Sequence, residues 1–277
     1  MGSRAAAHFA FMLDVEFTEL SDPGKVRGHN EDFLGHASPV TPVQVNTHGW
    51  IFALADGVGG NDYGEVASRT AVETVLSGFR AAPAGEPPGS LLARLVKSAN
   101  SRIVEIGMSN ASSGRKMATT LVACALRFDR LAVAHVGDSR CYLVRRGHTT
   151  ALTRDHTLVA EQVRLGVLSS REAAESSSKH LLSRSLGSEL FVNVDTSEHQ
   201  IHVGDVLLLC SDGLHGSLEP SEIADLVGQI SDLQVAAQKM VAIANDRDGS
   251  DNISVQLIRI RGVERVGMYR GRPYKLR

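Results

Sequence analysis

The sequence predicts an α+β sandwich, on three observations. Short apolar runs rich in β-branched residues end in turn signals, two long amphipathic stretches follow one another with no strand between them, and strict β–α alternation is missing. A doubly wound sheet would need that alternation.

In chain order, strands are expected at Trp50–Ala55, 120–128, 131–136, 141–144, Val206–Cys210 and 253–260. The third and fourth of these, 131–136 and 141–144, flank Gly137-Asp138-Ser139-Arg140, which reads as a tight connection between neighbouring antiparallel strands. Helices are expected at 63–79, where Val66, Thr70, Val72, Val75, Leu76 and Phe79 form a broad stripe, and at 91–108, where Leu91, Leu92, Leu95, Val96, Ala99, Ile103 and Ile106 recur near the 3.6 period. Residues 81–89 between them are rich in Pro and Gly and form a loop too short for a domain linker. Two further helices follow at 219–228 and 232–245, supported by Ile223 with Leu226 and by Leu233 with Ala236, Ala237 and Met240.

The stretch 157–178 is helix-permissive but polar and ends in Ser176-Ser177-Ser178, so it reads as an inserted flap over about 157–180 that carries specificity. From Arg259 to Arg277 there are seven Lys or Arg and one Glu, a net of +6, expected to be a solvated terminus, with 261–277 as a short basic tail. The chain is expected to form one domain over 1–277 with its core at about 15–260. No internal repeat is found.

Lys and Arg number 29 and Asp and Glu 31, a formal charge of −2, which gives no electrostatic case for nucleic acid or an anionic membrane. Cys124, Cys141 and Cys210 sit in or beside apolar runs with no C-x-x-C spacing, as buried thiols in a reducing compartment would. No stretch approaches the ~18 apolar residues of a membrane helix. The start lacks the Ser or Thr of a myristoylation signal, and the apolar residues between Ala5 and Leu13 are too broken for a secretory core. The expected location is cytoplasmic.

Three acidic sites share one grammar, an apolar strand with Asp at its end. Asp56 follows Ile51-Phe52-Ala53-Leu54-Ala55 and precedes Gly57-Val58-Gly59-Gly60; Asp212 follows the run 207–211 and precedes Gly213; Asp251 lies in Asp248-Gly249-Ser250-Asp251-Asn252, just before a strand. Strand ends are rigid mounts, and a neighbouring Gly lets backbone approach a ligand. Mg²⁺ and Mn²⁺ take such oxygen donors, and distant carboxylates converge if these strand ends share one edge. A single Asp-Gly is chiefly a turn signal; three glycines beside an acid exceed what a turn requires. The Gly-rich run lacks the Lys-Ser/Thr ending of a phosphate-cradling P-loop. A fourth cluster, Arg27-Gly28-His29-Asn30-Glu31-Asp32, places a planar phosphate-binding group four and five residues from two acids.

Taken in order, these residues resemble the PP2C-type, or PPM, family of metal-dependent protein phosphatases, in its bacterial branch. The resemblance is carried by Arg27-x-x-Asn30-Glu31-Asp32, Ala55-Asp56-Gly57-Val58-Gly59-Gly60, Thr119-Thr120, Val136-Gly137-Asp138-Ser139-Arg140, Asp155-His156, Ser211-Asp212-Gly213 and Gly249-Ser250-Asp251-Asn252, and spans about 15–260. It implies a four-layer α-β-β-α sandwich of two antiparallel sheets flanked by helices, with a flap subdomain. It further implies that Asp56 bridges two Mn²⁺ or Mg²⁺ ions, that the carbonyl of Gly57 binds one of them, that Asp212 and Asp251 complete the other, and that Asp138 serves a third, weaker ion. Glu31 and Asp32 would act on the metals directly or through their waters, and Arg27 would hold the substrate phosphate.

Two such cations acidify a shared water and neutralise charge developing on phosphorus, so no protein nucleophile is needed and Ser139 and Ser211 need not react. The resemblance implies hydrolysis of phosphoserine and phosphothreonine in proteins, with a Ser/Thr kinase or its targets as partner and a monomeric enzyme. One departure stands out: some members carry His directly after Asp-Gly as a candidate general acid, and Val58 stands there. His156 and His29 are the nearest motif histidines, while His135, inside a strand, reads as packing. The rival readings are the same sandwich used as a catalytically dead binding module, and a hydrolase of small phosphoesters.

Overall fold

The computed structural model describes residues 13–58, 63–109, 117–176, 178, 180–263, 266–269 and 272–275. Ten strands make two five-stranded sheets. The first sheet has the order β1 (Leu13–Asp22), β12 (Ile253–Val263), β11 (Val206–Cys210), β8 (Arg140–Arg145), β9 (His148–Ala151). The second runs β10 (Asp195–Gln200), β7 (Arg130–Val136), β6 (Leu121–Arg127), β3 (Trp50–Ala55), β2 (Phe33–Ala37). Every pairing in both sheets is antiparallel. Two short pairs, β4 (Gly57–Val58) with β5 (Ala118–Thr119) and β13 (Val266–Tyr269) with β14 (Arg272–Lys275), stand apart.

The side-chain period of two explains the layering. Along β3, Ile51, Ala53 and Ala55 face the long helices α2 (Gly64–Arg80) and α3 (Pro88–Ser109), packing with Val72, Val75, Phe79, Leu92 and Val96. Phe52 and Leu54, on the opposite face, meet Leu207, Leu209 and Ile258 of the other sheet. A strand buried on both faces reads as a continuous apolar run, which is why β3 is legible without alternation. On the far side, Leu208, Val255 and Leu257 pack against Ile223 of α7 (Pro220–Gln229) and Ala237 and Met240 of α8 (Leu233–Arg247). The order is helices, sheet, sheet, helices, the four-layer sandwich expected. Each fully buried large side chain, Phe52 or Leu92 for example, contributes about 1.5–3 kcal/mol of transfer free energy.

The expected helices and strands form within a few residues of their expected ends. One expectation is corrected. The Gly137–Ser139 segment is not a hairpin turn between paired strands, because β7 and β8 lie in different sheets and the segment carries the chain from one to the other. β1, β2, β9, β10 and the short α1 (Pro42–Thr47) were not anticipated; β10 is a polar edge strand, Asp-Thr-Ser-Glu-His-Gln, with no apolar signal to read. The antiparallel pair β13–β14 in the basic tail was likewise not anticipated. The N-terminal stretch preceding Leu13, and Gly59 and Gly60, lie outside the described residues.

Within 157–180 two short helices form, α4 (Leu158–Arg164) and α5 (Ser170–Glu175). Thr157 caps the first, and Ser169 with Glu172 forms a reciprocal capping box on the second. The two ends of this excursion are joined where Leu158 N–H donates to the Leu181 carbonyl at 2.9 Å. The remaining helix, α6 (Asp212–His215), is a single turn after β11. All three cysteines are buried free thiols, as expected, and burial pushes Cys124 and Cys210 up to about 12. No described helix is long and apolar enough to cross a membrane.

Candidate metal centre

Asp56 directly follows β3, Asp212 lies two residues past β11, and Asp251 lies two residues before β12. Asp56, Asp212 and Asp251 meet in a cavity of about 530 Å³ whose wall also includes Arg27, Glu31, Gly57 and Asp138. Seven of the eight residues expected to form the site therefore line one space. The eighth, Asp32, is buried beneath it and feels the charges of Asp212 and Asp251.

Backbone contacts fix each mount. The Asp56 amide donates to Thr120 Oγ1 at 2.9 Å, and its carbonyl accepts from Thr120 N–H at 2.8 Å and Thr119 Oγ1 at 2.7 Å. That is the physical role of the Thr119-Thr120 pair. Gly57 is pressed between Gly64 and Glu31; a Cβ there would lie 2.5 Å from the Gly64 carbonyl carbon and 2.8 Å from the Glu31 oxygen. Only glycine fits that approach. Asn252 ties the Arg27–Asp32 segment down: its Oδ1 accepts from Glu31 N–H at 2.8 Å while its Nδ2 donates to the carbonyls of Pro23 and His29 at 2.9 and 3.0 Å. Arg27 Nη2 donates to Asp251 Oδ2 at 2.8 Å, which raises the guanidinium's affinity for its proton.

The electrostatics are those of a crowded, buried carboxylate cluster. Asp56 is pushed well above the usual carboxylate range, first by burial and then by Asp32, Asp212, Asp138 and Asp251. Burial, with Asp212 and Asp251, raises Asp32 to about 7; the Ser211 and Ser254 hydroxyls lie near enough to temper the shift but make no well-formed hydrogen bond to the carboxylate. Burial, Asp212 and Asp155 raise Asp138 to about 7. Asp212 is held below its ordinary value: burial works against its charge, but His180 and His215 outweigh it. Both Asp32 carboxylate oxygens and Asp212 Oδ1 are buried without a hydrogen-bond partner. Orphaned anionic oxygens in a crowded acidic pocket are costly alone and well served by a hard divalent cation, so the residues present fit Mg²⁺ or Mn²⁺.

Ser139 and Ser211 do not line the cavity. Ser139 Oγ bonds Thr120 Oγ1 at 2.7 Å, and Ser211 Oγ accepts from Ser254 N–H at 2.9 Å; both residues are buried structural links. His29 is exposed and outside the cavity. His156 is not a solvated loop residue either: it is buried, stacked on His135 with ring centroids 4.6 Å apart. His135, His156 and Asp195 form a second cluster with donor atoms close enough for a metal. Arg184 Nη1 already stands there, 3.2 Å from His156 Nε2 and 2.7 Å from Asp195 Oδ1, and supplies the positive charge. Sequence reasoning missed His180, which stands in the cavity wall with Nδ1 3.5 Å from Asp212 Oδ2, and its neighbours Leu181, Leu182, Ser185 and Ser188. They lie in an irregular segment with no periodicity, and only their place at the exit of the 157–180 excursion pointed to them.

Comparison with known proteins agrees with this geometry. The family "Protein phosphatase 2C" matches residues 29–253. The serine/threonine phosphatase stp of Listeria welshimeri is 35% identical over 255 residues, covering 91% of this chain and 96% of that protein. The solved serine/threonine phosphatase of S. agalactiae superposes with a TM-score of 0.80 at 34% identity, over 90% of this chain and 100% of that one. The catalytic domain of the serine/threonine protein phosphatase PstP, solved in complex with two manganese ions, superposes with a TM-score of 0.75 at 31% identity, over 90% and 99%. With the fold, the acidic cavity and these matches in agreement, the chain belongs to the protein phosphatase 2C family of metal-dependent protein serine/threonine phosphatases.

Proposed function

We propose that this cavity hydrolyses phosphoserine and phosphothreonine in proteins, with two Mn²⁺ or Mg²⁺ ions held by Asp56, Gly57, Asp212 and Asp251 and a third, weaker one by Asp138. The observation that carries the reading is the convergence of these aspartates from three separate strand ends into one pocket, with orphaned buried oxygens on Asp32 and Asp212. When bound, the cations supply an acidified water and positive charge toward the phosphate. The chain's own residues do the rest. Asp56, seated by Thr119 and Thr120, would hold the ions together with the Gly57 carbonyl, and Glu31 and Asp32 would hold ions or their waters. Arg27, paired with Asp251 here, presents a planar fork suited to phosphate once Asp251 is committed to a cation.

Val58 lies in the cavity wall and donates no proton, so protonation of the leaving group falls to water or to another wall residue. His180 and the residues that follow it line one side of the cavity; read as the exit of a flap over 157–180 in a single domain, they suit a protein substrate better than a small ester. The similar phosphatases are bacterial proteins, and the setting we infer is cytoplasmic signalling in which the enzyme opposes a Ser/Thr kinase. The dead-module reading fares worse, since the chain keeps Arg27 and all five aspartates.

The test is phosphate release from a phosphothreonine peptide. Mn²⁺ should support turnover, EDTA should remove it, and the Asp56→Asn protein should stay folded and silent. Release that continues undiminished in EDTA would dismiss the cation reading, and release from aryl phosphate alone would favour small esters.

A further inference from the structure

We propose that His156 is a positioning residue for Asp138 and, through it, for the third cation, an inference that rests on Asp138 holding that ion. The turn carrying Asp138 crosses between the two sheets, so no strand ladder fixes it. Gly137 takes a left-handed φ of +104, and a Cβ there would come within 2.6 Å of Thr120. His156 grips this glycine on both sides. Its ring Nδ1 accepts from Gly137 N–H at 3.1 Å, and its own backbone N–H donates to the Gly137 carbonyl at 3.0 Å. The bidentate Arg140–Asp155 pair, at 2.8 and 2.7 Å, clamps the same two segments alongside.

The far side of the ring meets Asp195 and Arg184. With Nδ1 accepting, the neutral ring carries its proton on Nε2, which faces Asp195 Oδ2 at 3.4 Å; Arg184 Nη1, 3.2 Å from the same nitrogen, then directs its hydrogen bond to Asp195 rather than to the ring. Arg184 donates to the other Asp195 oxygen at 2.7 Å, and the His156 carbonyl accepts from Ser183 N–H at 2.9 Å. Leu182 and Ser185, which flank Ser183 and Arg184, line the cavity opposite the aspartates. One buried residue, through its ring and its backbone, therefore links the Asp138 turn to the exit of the 157–180 excursion. Groups bonded directly to a metal ligand change metal affinity about 10–100-fold; His156 acts one residue away, through Gly137, so the lower end of that range applies.

Calorimetric titration with Mn²⁺ of four proteins tests this: wild type, Asp138→Asn, His156→Phe and His156→Asn. Phenylalanine keeps a ring against His135 but accepts no hydrogen bond; asparagine places Oδ1 near the position of Nδ1 but loses the stack. His156→Leu, also without an acceptor, is made beside the phenylalanine variant so that a folding failure of one leaves the comparison standing. The expected result is a tight pair of Mn²⁺ in every protein and a weaker event in wild type. Asp138→Asn should abolish that event, Phe or Leu at 156 should weaken it about tenfold, and Asn should restore most of the loss. If Phe binds as wild type does while Asn loses the weak event, the ring acts by packing and positioning is overturned. Equal behaviour of the acceptor and non-acceptor variants overturns it as well. A wild type with no weak event removable by Asp138→Asn would instead dismiss the cation role of Asp138 itself.

Discussion

Asp56 sits at the end of a strand buried on both faces, with its backbone bonded to Thr119 and Thr120, so its carboxylate cannot swing away from the four other acids that raise its pKa. Such a group holds its charge only with a cation beside it. Asp56→Asn and Asp212→Asn are each expected to cut turnover on the order of 10³-fold, the loss of several kcal/mol of transition-state stabilisation. Circular dichroism of both should stay unchanged, because no hydrogen bond of the fold is lost at either carboxylate's mount. The same crowding makes a pH prediction for the metal-free protein. Asp32 and Asp138 titrate at about 7 in the fold against 3.8 in an open chain, so the folded state binds more protons between those values. Stability from these groups is complete below pH 3.8 and is lost as pH rises through 7. Melting temperature in EDTA, corrected for the remaining groups by comparison with Asp32→Asn, should fall over that window, and saturating Mn²⁺ should cancel the fall.

At the scale of elements, the site depends on how the strand ends are laced to the Arg27–Asp32 segment. Asn252 is 4% exposed and makes three hydrogen bonds across that gap. Asn252→Ala should destabilise the fold by about 1–3 kcal/mol through the loss of three hydrogen bonds, read as a lower melting temperature, and it should weaken Mn²⁺ binding through Asp251 beside it. Retention of wild-type metal affinity would separate the lacing from the site. The elements that carry these ends were legible: β3 and β11 as apolar runs, α2 and α3 by their 3.6-residue stripes, and the aspartates by their place after strands. The Gly137–Arg140 turn was misjudged because residue pattern shows where strands stop but not which sheet receives the next one. β10 was invisible because an edge strand that faces solvent needs no apolar residues. His180 was invisible because a single histidine in an irregular segment has no pattern at all.

Across the whole molecule, two sheets stacked face to face hold the strand ends in register through one interior layer of Phe52, Leu54, Val122, Leu207, Leu209 and Ile258. Asp56 belongs to one sheet and Asp212 and Asp251 to the other, so the separation of the carboxylates is set by this layer as much as by the local turns. Enlarging a cavity there, as in Phe52→Ala, should cost about 3–5 kcal/mol, and a surviving fold should bind Mn²⁺ more weakly even though no ligand has changed. The most direct measurement is anomalous X-ray scattering at the manganese edge from a crystal grown with Mn²⁺. Two peaks between Asp56, Asp212 and Asp251 are predicted, with a third, weaker one at Asp138; a cavity devoid of anomalous signal at saturating Mn²⁺ would contradict the account.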